Sequence, residues 1–405
     1  MGYDILFLGK LFPKEKEAEI KSKMKSGMQD AANALQWNII HGLDANNCGR
    51  IRILDQLPVD SYPRGYEDKT IEEYVFQHTS KYRSDDKIVQ GTNLMVVKQF
   101  ANLKPFKVEA RRWAMDGNNE KKVLVLYTAS VLFLQIAKYI KHVNGNIETC
   151  CIIADLPEFS SARTLHGIRK IYNDYQAKKA AGLYQYIDKF VLLTDQMADR
   201  LRLKAPYVVM EGIAPEQEAF ENIPLPYELE GKRYILYTGT LSYEFGIGTL
   251  LEAFEKAKDE SLKLVICGFG EAEEAILKSR DKRIVYLGKV DRMLALALQR
   301  GATVLVNPRQ DNNEFTKYSF PSKTMEYLAS GTPVVAYRLD GVPPEYAPFL
   351  HSPVDNTPQA LAEEIQRLLA LSPGERRALG QAAKDYVLTN KGAVAQAKKI
   401  LDLLE

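Results

Sequence analysis

Short apolar runs alternate with longer amphipathic stretches along most of the chain. This alternation is typical of repeated βα units and therefore predicts a parallel sheet flanked by helices. In the first half, the apolar runs predict strands at Ile5–Leu8, Trp37–Ile40, Val123–Tyr127, Thr149–Ala154 and Lys189–Thr194. The amphipathic stretches predict helices over Glu15–Leu35, Ser130–Lys141 and residues 163–186. Residues 55–120 show no clear pattern.

A second series of the same kind begins after the proline-punctuated stretch Pro206–Pro226. Its predicted strands are Tyr234–Thr238, Leu262–Cys267, Ile284–Leu287, Thr303–Val306 and Pro333–Tyr337, and its predicted helices include Gly248–Ala257, Pro358–Leu369 and Pro373–Val387. The simplest architecture is α/β, with two Rossmann-like domains at 1–212 and 213–387 and a final helix, 388–405, packed back on the first. Two such domains facing across a cleft would hold ligands at the carboxyl ends of their strands.

Composition narrows the class of protein. The 405 residues are 46% hydrophobic and 26% charged, as in ordinary globular proteins, which argues against a disordered or disulfide-stapled chain.

No apolar run is long enough to span a membrane and the first residues do not resemble a signal peptide, so we predict a cytoplasmic protein. The net charge of +2 gives no reason to expect a nucleic-acid partner. Residues 1–212 carry net +6 and residues 213–405 net −4, which fits an anionic partner or ordinary surface variation.

The cysteines and histidines do not predict a metal site. The four cysteines lack C-x-x-C spacing, and the five histidines are scattered without an H-x-x-x-H pattern. Cys150, Cys151 and Cys267 lie in or beside apolar runs, so we expect buried strand cysteines.

A segment near residue 320 is the most informative for chemistry. It reads as a loop, then a helix that begins at Pro321 and ends at Gly331, the left-handed position. The first-turn amides near Ser322 and Lys323, together with the helix dipole and the lysine charge, would form a site for a diphosphate. Glu326 shares a helix face with Ser322 and is placed to accept two hydroxyl hydrogens, as from a ribose. A capped helix with a solvated glutamate explains the same residues.

The turn Gly268–Phe269–Gly270 follows one predicted strand and precedes a predicted helix near Glu271. Glycines there allow the backbone to approach a ligand such as a nucleotide base closely. A simple tight turn is an equally good interpretation of these two glycines alone, because they lack the rest of a nicotinamide fingerprint.

Residues 233–390 resemble a known family through five segments that occur in the family's order and spacing. These segments are Tyr237–Leu241, Gly246–Phe254, Cys267–Gly270, Ser319–Val335 and Asp340–Glu345. The resemblance is to the donor domain of the retaining family-4, group 1, glycosyltransferases, which have the two-domain GT-B fold. It implies transfer of a sugar from a nucleotide-diphosphate sugar to a hydroxyl group, with retention at the anomeric carbon.

The sequence departs from the family pattern in two places. Tyr318 stands where the family has a glutamate that contacts the donor sugar, and Glu314 lies four residues earlier. Thr240 and Phe245 stand near the positions of the family's diphosphate-binding arginine and lysine. Arg309 and Lys323 are then the best replacement cations.

The resemblance implies a set of site residues. Those expected to bind the donor are Gly239, Thr240, Gly268, Phe269, Gly270, Ser322, Lys323 and Glu326, with Lys10 bordering the diphosphate from the first domain. Lys323, Arg309 and Asp155 are the expected catalytic residues, and no metal or other cofactor is expected. A plain βα turn at Lys10 and a turn aspartate at Asp155 remain open alternatives. The lone His166 is more typical of a structural residue than of a catalytic one.

The implied acceptor is a glycan or lipid-linked molecule in surface polysaccharide biosynthesis. Residues 163–189 interleave basic residues and tyrosines, which could rest on an anionic bilayer at the inner face of the plasma membrane. A solvated helix with inward-facing tyrosines explains that pattern too and is preferred. Three other functions stay open: a nucleotide-sugar 2-epimerase of the same fold, an inactive GT-B scaffold subunit, and, last, a nicotinamide dehydrogenase.

Overall fold

The computed structural model describes residues 2–25, 30–47, 49–95, 97–117, 120–156, 168–215 and 223–405. The chain divides into two compact units, each described here by itself. The first comprises Met1–Glu211 with Ala393–Glu405, and the second comprises Gly212–Gly392.

The first unit is an α/β layer structure. Its strands are β1 (Tyr3–Gly9), β2 (Ile51–Asp55), β3 (Thr70–Ile71), β4 (Tyr74–Phe76), β5 (Asp86–Ile88), β6 (Gly91–Thr92), β7 (Lys121–Tyr127), β8 (Glu148–Ile153), β9 (Lys189–Leu192) and β10 (Tyr207–Val209). Its helices before residue 212 are α1 (Glu17–Lys23), α2 (Asp30–Asn46), α3 (Lys98–Ala101), α4 (Leu103–Ala114), α5 (Val131–Val143), α6 (Ile168–Ala181) and α7 (Gln196–Leu201). Short 3₁₀ helices lie at Lys14–Lys16 and Tyr184–Tyr186.

Eight of these strands form one sheet in the order β10-β9-β8-β7-β1-β2-β5-β4. All neighbours are parallel except β4, which pairs antiparallel with β5, while β3 and β6 form a separate antiparallel pair. The chain runs outward from β1 in both directions, so the strand order reverses between β1 and β7. Every residue of β1 is buried, as expected for the centre of a parallel sheet covered on both faces.

The second unit is a smaller α/β layer structure. Its strands are β11 (Tyr234–Thr238), β12 (Lys263–Cys267), β13 (Ile284–Gly288), β14 (Val304–Asn307), β15 (Val334–Ala336) and β16 (Leu350–His351). Its helices are α8 (Ile247–Glu255), α9 (Glu273–Lys278), α10 (Arg292–Gly301), α11 (Ser322–Ser330), α12 (Pro358–Ala370) and α13 (Pro373–Lys391). Short 3₁₀ helices lie at Tyr227–Leu229, Tyr243–Phe245, Glu314–Tyr318 and Pro344–Tyr346.

The six strands of the second unit form an all-parallel sheet in the order β13-β12-β11-β14-β15-β16. Numbered within the unit, this is the order 3-2-1-4-5-6 of a doubly wound nucleotide-binding sheet. The order reverses between β11 and β14, and ligands in such sheets bind outside the carboxyl ends of the strands at that point. The residues that follow these two strands therefore define where a ligand site is expected.

Two apolar clusters cover the faces of this second sheet. One face packs against α8 and α12 through residues such as Leu250, Phe254 and Leu361, all fully buried or nearly so. The other face packs against α11 and α13 through residues such as Tyr327 and Val387.

The last helix, α14 (Ala393–Leu404), belongs to the first unit. It packs on α2 and contacts β9 and β10. The contact with α2 is close at Gly42, where an added Cβ would lie 2.1 Å from the backbone oxygen of Ala393. A side chain at residue 42 would therefore force the two helices apart.

The structure corrects the predicted second strand. Residues Trp37–Ile40 lie within α2, and the strand beside β1 is instead β2. A short apolar run does not distinguish a buried strand from a buried helix turn. Trp37, Ile40 and Leu43 recur at helical spacing and are all buried, so tertiary packing of a helix face accounts for the run. The helix predicted over Glu15–Leu35 is also wrong in its extent, since α1 ends at Lys23 and α2 begins at Asp30.

Most other predicted elements are confirmed with ends shifted by one or two residues. Three helices differ more: α6 ends at Ala181 rather than at residue 186, α13 continues to Lys391, and the final helix begins at Ala393 rather than at residue 388. The predicted start of the first of these, at residue 163, lies outside the described residues. Pro321 is a small exception: it precedes the first helical residue, Ser322, as the N-cap. Gly331 ends that helix in the left-handed conformation, with φ 81°, as predicted. Cys150, Cys151 and Cys267 are buried and free, and they lie in strands.

Candidate active site

Two glycine turns lie beside each other at the carboxyl ends of β11 and β12. Gly268 has φ 140°, and a Cβ there would lie 1.8 Å from the backbone oxygen of Gly239. Gly270 has φ 156°, and a Cβ there would lie 2.3 Å from the backbone oxygen of Leu241. The two loops thus pack backbone against backbone, which only glycine permits. The side chain of Phe269 between the two glycines is 60% exposed.

Helix α11 brings the predicted phosphate and ribose groups together. The Nζ of Lys323 lies 2.7 Å from Oε2 of Glu326, with side chains 38% and 20% exposed. Ser322 is exposed at the first position of the helix. The first-turn amides of Ser322 and Lys323 have no acceptor within the helix. The two groups predicted to bind different parts of the donor therefore neutralise each other in this structure.

Two residues that the sequence interpretation missed contact the same carboxylate. Nη1 of Arg292 lies 3.5 Å from Oε1 of Glu326, and Nε2 of Gln299 lies 3.5 Å from Oε2. The Nε2 group of Gln299 also donates to Oγ1 of Thr238, the last residue of β11. Gln299 is fully buried, and its Oε1 has no hydrogen-bond partner among the described residues. The sequence signal for this contact is a glutamine within the otherwise apolar run of α10.

Helix α11 is also tied directly to the sheet. The hydroxyl of Tyr327 accepts a 2.8 Å hydrogen bond from the amide of Thr238, and both residues are buried. Burial raises the pKa of the Cys267 thiol to about 12, while the positive charge of Lys323 acts in the opposite direction. The Lys323 ammonium therefore lies within electrostatic range of the end of β12. These contacts place Glu326 and Lys323 beside the glycine turns.

Arg309 follows β14 and lies at the point where the strand order reverses. Its guanidinium carbon is 5.1 Å from the ring centre of Phe245 and 4.9 Å from that of Phe315. Its Nη2 donates to Oγ of Ser319 at 3.2 Å. Burial lowers the pKa of Arg309, and the negative charge of Glu244 opposes that shift. Phe245, at the position where a lysine was expected from the resemblance, thus stacks on the replacement cation.

Tyr318 and Glu314, the two residues near the expected first glutamate, contact each other. The Tyr318 hydroxyl donates to Oε1 of Glu314 at 3.3 Å, within the 3₁₀ helix Glu314–Tyr318. Glu314 is exposed and Tyr318 is partly buried. The structure therefore offers a carboxylate and a phenol side by side in this loop.

Thr240 is exposed just after β11, and its backbone oxygen accepts a 2.8 Å hydrogen bond from the hydroxyl of Tyr237. Its backbone is thereby fixed beside Gly239, while its side chain faces solvent.

Lys10 lies in the first unit, directly after β1. Its backbone amide donates to Oε1 of Gln36, and its backbone oxygen accepts from Nε2 of the same side chain. Burial lowers the pKa of Lys10 to about 8, with Lys98 acting in the same direction and Asp55 against it. Burial also raises the pKa of Asp55 well above its usual range, and Oδ2 of Asp55 has no hydrogen-bond partner among the described residues.

Asp155 follows β8 and is exposed. One strand, β7, separates β8 from β1, so Asp155 and Lys10 follow strands roughly 10 Å apart at the same edge of this sheet. His166 lies outside the described residues. In the parts of the chain that the structure describes, no cluster of three or more His, Cys, Asp or Glu could hold a metal ion.

Residues 232–371 match the family model described as "Glycosyl transferases group 1". This match lies wholly within the second unit and covers most of it. The prediction that the chain is a glycosyltransferase is therefore confirmed. No curated protein is similar in sequence to the chain.

Solved structures that resemble the chain cover nearly all of it. One is the sucrose-phosphate synthase of Thermosynechococcus elongatus, with 17% identity and a TM-score of 0.62 over 99% of this chain and 98% of that one. An Escherichia coli structure, described as trehalose-6-phosphate bound with UDP-2-fluoro glucose, has 13% identity and a TM-score of 0.61 over 99% and 98%. An α,α-trehalose-phosphate synthase from Burkholderia xenovorans, in complex with glucose-6-phosphate, has 12% identity and a TM-score of 0.60 over 100% of both chains. These similarities confirm the predicted α/β class and GT-B fold.

Proposed function

We propose that the protein transfers a sugar from a nucleotide-diphosphate sugar to a hydroxyl of a glycan or lipid-linked acceptor, with retention at the anomeric carbon. One observation carries the proposal. In a group 1 glycosyltransferase domain with the strand order 3-2-1-4-5-6, the glycine turns, Lys323 and Glu326 meet at the carboxyl ends of β11 and β12. Such an edge is where nucleotides bind in doubly wound sheets.

Each part of the donor would bind the residues whose chemistry suits it. The nucleotide base would lie beside the exposed ring of Phe269, in the turn that Gly268 and Gly270 pack against the loop after β11. The amides of Ser322 and Lys323 and the Lys323 ammonium would hold the diphosphate. The Glu326 carboxylate, fixed by Gln299 and Arg292, would accept the two ribose hydroxyls. Binding would then exchange part of the Lys323–Glu326 ion pair for contacts with the donor.

Catalysis would consist of charge stabilisation and positioning. The bond between the anomeric carbon and the diphosphate oxygen breaks, and the acceptor oxygen bonds to the same face of the sugar. The acceptor proton passes to the departing phosphate oxygen. Lys323 and Arg309 would stabilise the growing negative charge, so no metal ion is required in this proposal. Asp155, exposed at the edge of the first sheet, is the proposed contact for the sugar or acceptor.

The acceptor proposed from the sequence belongs to surface polysaccharide biosynthesis, with the enzyme at the cytoplasmic side and in peripheral contact with the membrane. Within the described residues, no helix has the length and apolar character needed to cross a bilayer. A phosphorylated sugar is a second acceptor candidate. The partly buried ammonium of Lys10, which interacts electrostatically with that of Lys98, favours an anionic group at this edge of the first sheet, and one structural neighbour was solved with glucose-6-phosphate.

A donor panel tests the proposal. Melting temperatures measured with nucleoside diphosphates and their sugars should rise for one nucleotide, and that donor should then be hydrolysed slowly in the absence of acceptor. Transfer is next measured with lipid-linked and phosphorylated acceptors. Conversion of the donor into its 2-epimer would support the epimerase instead. Donor binding without hydrolysis or transfer would indicate a scaffold subunit, and failure of every nucleotide to bind the folded protein would contradict the donor site itself.

A further inference from the structure

One helix of the first unit, α4, presents a face that is both basic and apolar. The exposed residues Lys104, Val108 and Arg111, with Met115 directly after the last helical residue, follow the spacing i, i+4, i+7, i+11, so they lie along one side of the helix. Lys107 and Arg112 flank that line. We call these six residues the α4 face. The opposite side of the helix buries Phe106, Ala110, Trp113 and Ala114.

The positive charge of the α4 face is largely uncompensated. Among the described residues, Lys104, Lys107 and Arg111 have no carboxylate within ion-pair distance. The single acidic residue of the helix, Glu109, pairs with Arg112 at 2.9 Å and with Lys87 at 3.4 Å. The nearest acidic residue beyond the helix end along the chain, Asp116, is exposed. The α4 face is therefore positive even after its own carboxylate is counted.

The apolar side chains on this face are exposed too. Val108 is 51% exposed and Met115 is 62% exposed. A cavity of about 380 Å³ runs between these side chains and Tyr139 of α5. The Nζ of Lys107 lies 5.0 Å above the Tyr139 ring. A lone exposed valine or methionine is ordinary, but here both lie within a basic face and beside a groove.

Neighbouring helices extend the same composition. Helix α5 contacts α3, α4 and α6. Phe100 of α3 is 66% exposed and Tyr175 of α6 is 56% exposed, and the Nζ of Lys179 lies within 6 Å of both rings. Exposed aromatic rings and lysines thus adjoin the helices around α5.

We propose that the α4 face is a docking surface for an anionic lipid bilayer. A helix that alternates Lys or Arg with exposed apolar residues on one side is suited to lie in a membrane interface, with cations at the headgroups and apolar chains below them. Each basic residue near such a surface contributes about 1 kcal/mol. This surface is a different one from residues 163–189, and it is independent of the donor site. If the acceptor is lipid-linked, which rests on the proposed function, the docking would bring the first unit to the acceptor.

Vesicle flotation with the full chain tests this surface. The probes are vesicles of phosphatidylcholine alone and of phosphatidylcholine mixed equally with phosphatidylglycerol, each at low and high salt. The protein should float with the anionic vesicles at low salt and dissociate at high salt. The triple variant Lys104→Gln, Lys107→Gln, Arg111→Gln should reduce partitioning by roughly 100-fold, at about 1 kcal/mol per charge.

Matched variants separate local from general effects. Lys256→Gln, Lys258→Gln, Lys278→Gln removes three exposed lysines from the second unit and should leave flotation close to wild type. Val108→Ser, Met115→Ser should weaken binding by roughly tenfold without altering net charge. Melting temperatures and transfer to a soluble acceptor should match wild type in all three variants, so a failure of docking is distinguishable from a failure of the donor site.

Four outcomes would overturn the proposal. The first is a wild-type protein that ignores anionic vesicles at low salt. The second is a triple α4 variant that floats as well as wild type. The third is a loss of flotation in Lys178→Gln, Lys179→Gln with none in the α4 variants, which would assign docking to α6 instead. The fourth is α4-dependent binding of an RNA oligonucleotide without vesicle binding, which would assign the surface to nucleic acid.

Discussion

A buried charge cluster of the first unit contrasts with a half-exposed ion pair of the second. In the first unit, His78 lies between Asp86 at 2.6 Å and Asp44 at 3.4 Å, with its side chain fully buried. The same unit buries Lys122 against Asp4, with Nζ 2.8 Å from Oδ2. In the second unit, the central ion pair of Lys323 and Glu326 stays partly open to solvent, at the edge of the sheet.

We expect this difference to separate charges that hold the fold from the charges that we propose bind a ligand. A buried pair is expensive to break, because removing one partner leaves an uncompensated charge inside the protein. A half-exposed pair contributes little to stability, so it can exchange partners when a ligand arrives. Variants of Lys323 and Glu326 should therefore change activity at nearly constant stability. Variants of His78 should change stability at nearly constant activity.

The largest effect is expected for Lys323→Ala. If its ammonium stabilises the departing diphosphate, kcat should fall by about 10²–10³-fold, the cost of one preorganised electrostatic contact, with a smaller rise in donor KM. Lys323→Arg should recover part of kcat, because the charge survives while its geometry changes. Initial rates and melting temperatures on both variants provide the measurement.

Lys278→Ala is the matched control, since Lys278 is an exposed lysine that pairs with Glu274 on the same helix. Its rates should equal those of wild type. Should Lys323→Ala retain wild-type kcat, Arg309 would become the leading candidate for the leaving-group cation.

The second effect is expected for Glu326→Ala. Loss of a charged acceptor for the ribose hydroxyls should weaken donor affinity by about 1.5–3 kcal/mol, or roughly 10–150-fold in Kd. The melting temperature should change little, because Glu326 is partly exposed, Lys323 and Arg292 can become hydrated, and Gln299 keeps its hydrogen bond to Thr238. Calorimetric titration with the donor measures the loss. Unchanged affinity in a folded variant would remove Glu326 from the donor site.

Much of this site could be predicted from the sequence, because it follows from local backbone requirements. Gly331 ends α11 and Gly268 forms the turn after β12 as expected. What lay beyond prediction were the contacts between elements. Gln299 reaches both Thr238 and Glu326 only because α10 and α11 pack side by side. Phe245 stacks on Arg309 only because the loop after β11 meets the loop after β14.

The first unit was harder to predict, for a related reason. The apolar run of Trp37, Ile39 and Ile40 is compatible with a strand. These residues are nevertheless helical, because α2 packs against α14. Residues 55–120 contain the short strands β3 to β6, of two or three residues each, whose pairing depends on distant segments and leaves no periodic pattern.

The third effect concerns the stability of the first unit. Burial alone would lower the pKa of His78, but its contacts with Asp44 and Asp86 outweigh burial and raise the pKa to about 9. Because the folded pKa exceeds the ordinary value of about 6.5, the protonated imidazolium stabilises the fold fully below pH 6.5. That contribution is lost as the pH rises towards 9. Between pH 7 and pH 9 the loss is on the order of 2 kcal/mol.

Denaturant unfolding of wild type and His78→Gln across this pH range measures the difference. The free energy of unfolding of wild type should exceed that of His78→Gln by less and less as the pH rises. Transfer rates of the two proteins at neutral pH should agree within about twofold, since His78 lies in the first unit and the donor site in the second. Lys10 contributes in the opposite direction, because its lowered pKa makes stability rise above pH 8. This contribution is the same in both proteins and cancels in their difference. A constant difference between the two proteins would show that His78 is not protonated in the fold.

The smallest effect expected is none at all, when a chelator is added to the transfer assay. The diphosphate can be neutralised by a lysine, an arginine and the first-turn amides of α11, which together supply the positive field that a divalent ion provides elsewhere. These groups come from the protein itself, so excess EDTA should leave the initial rate unchanged with any donor that binds. Loss of turnover, restored by magnesium or manganese, would contradict the metal-free mechanism. Repeating the assay with Lys323→Ala sharpens the result. If added magnesium rescues that variant alone, the lysine and the metal supply the same charge, and the Lys323 ammonium at the edge of the second sheet takes the place of a metal cation.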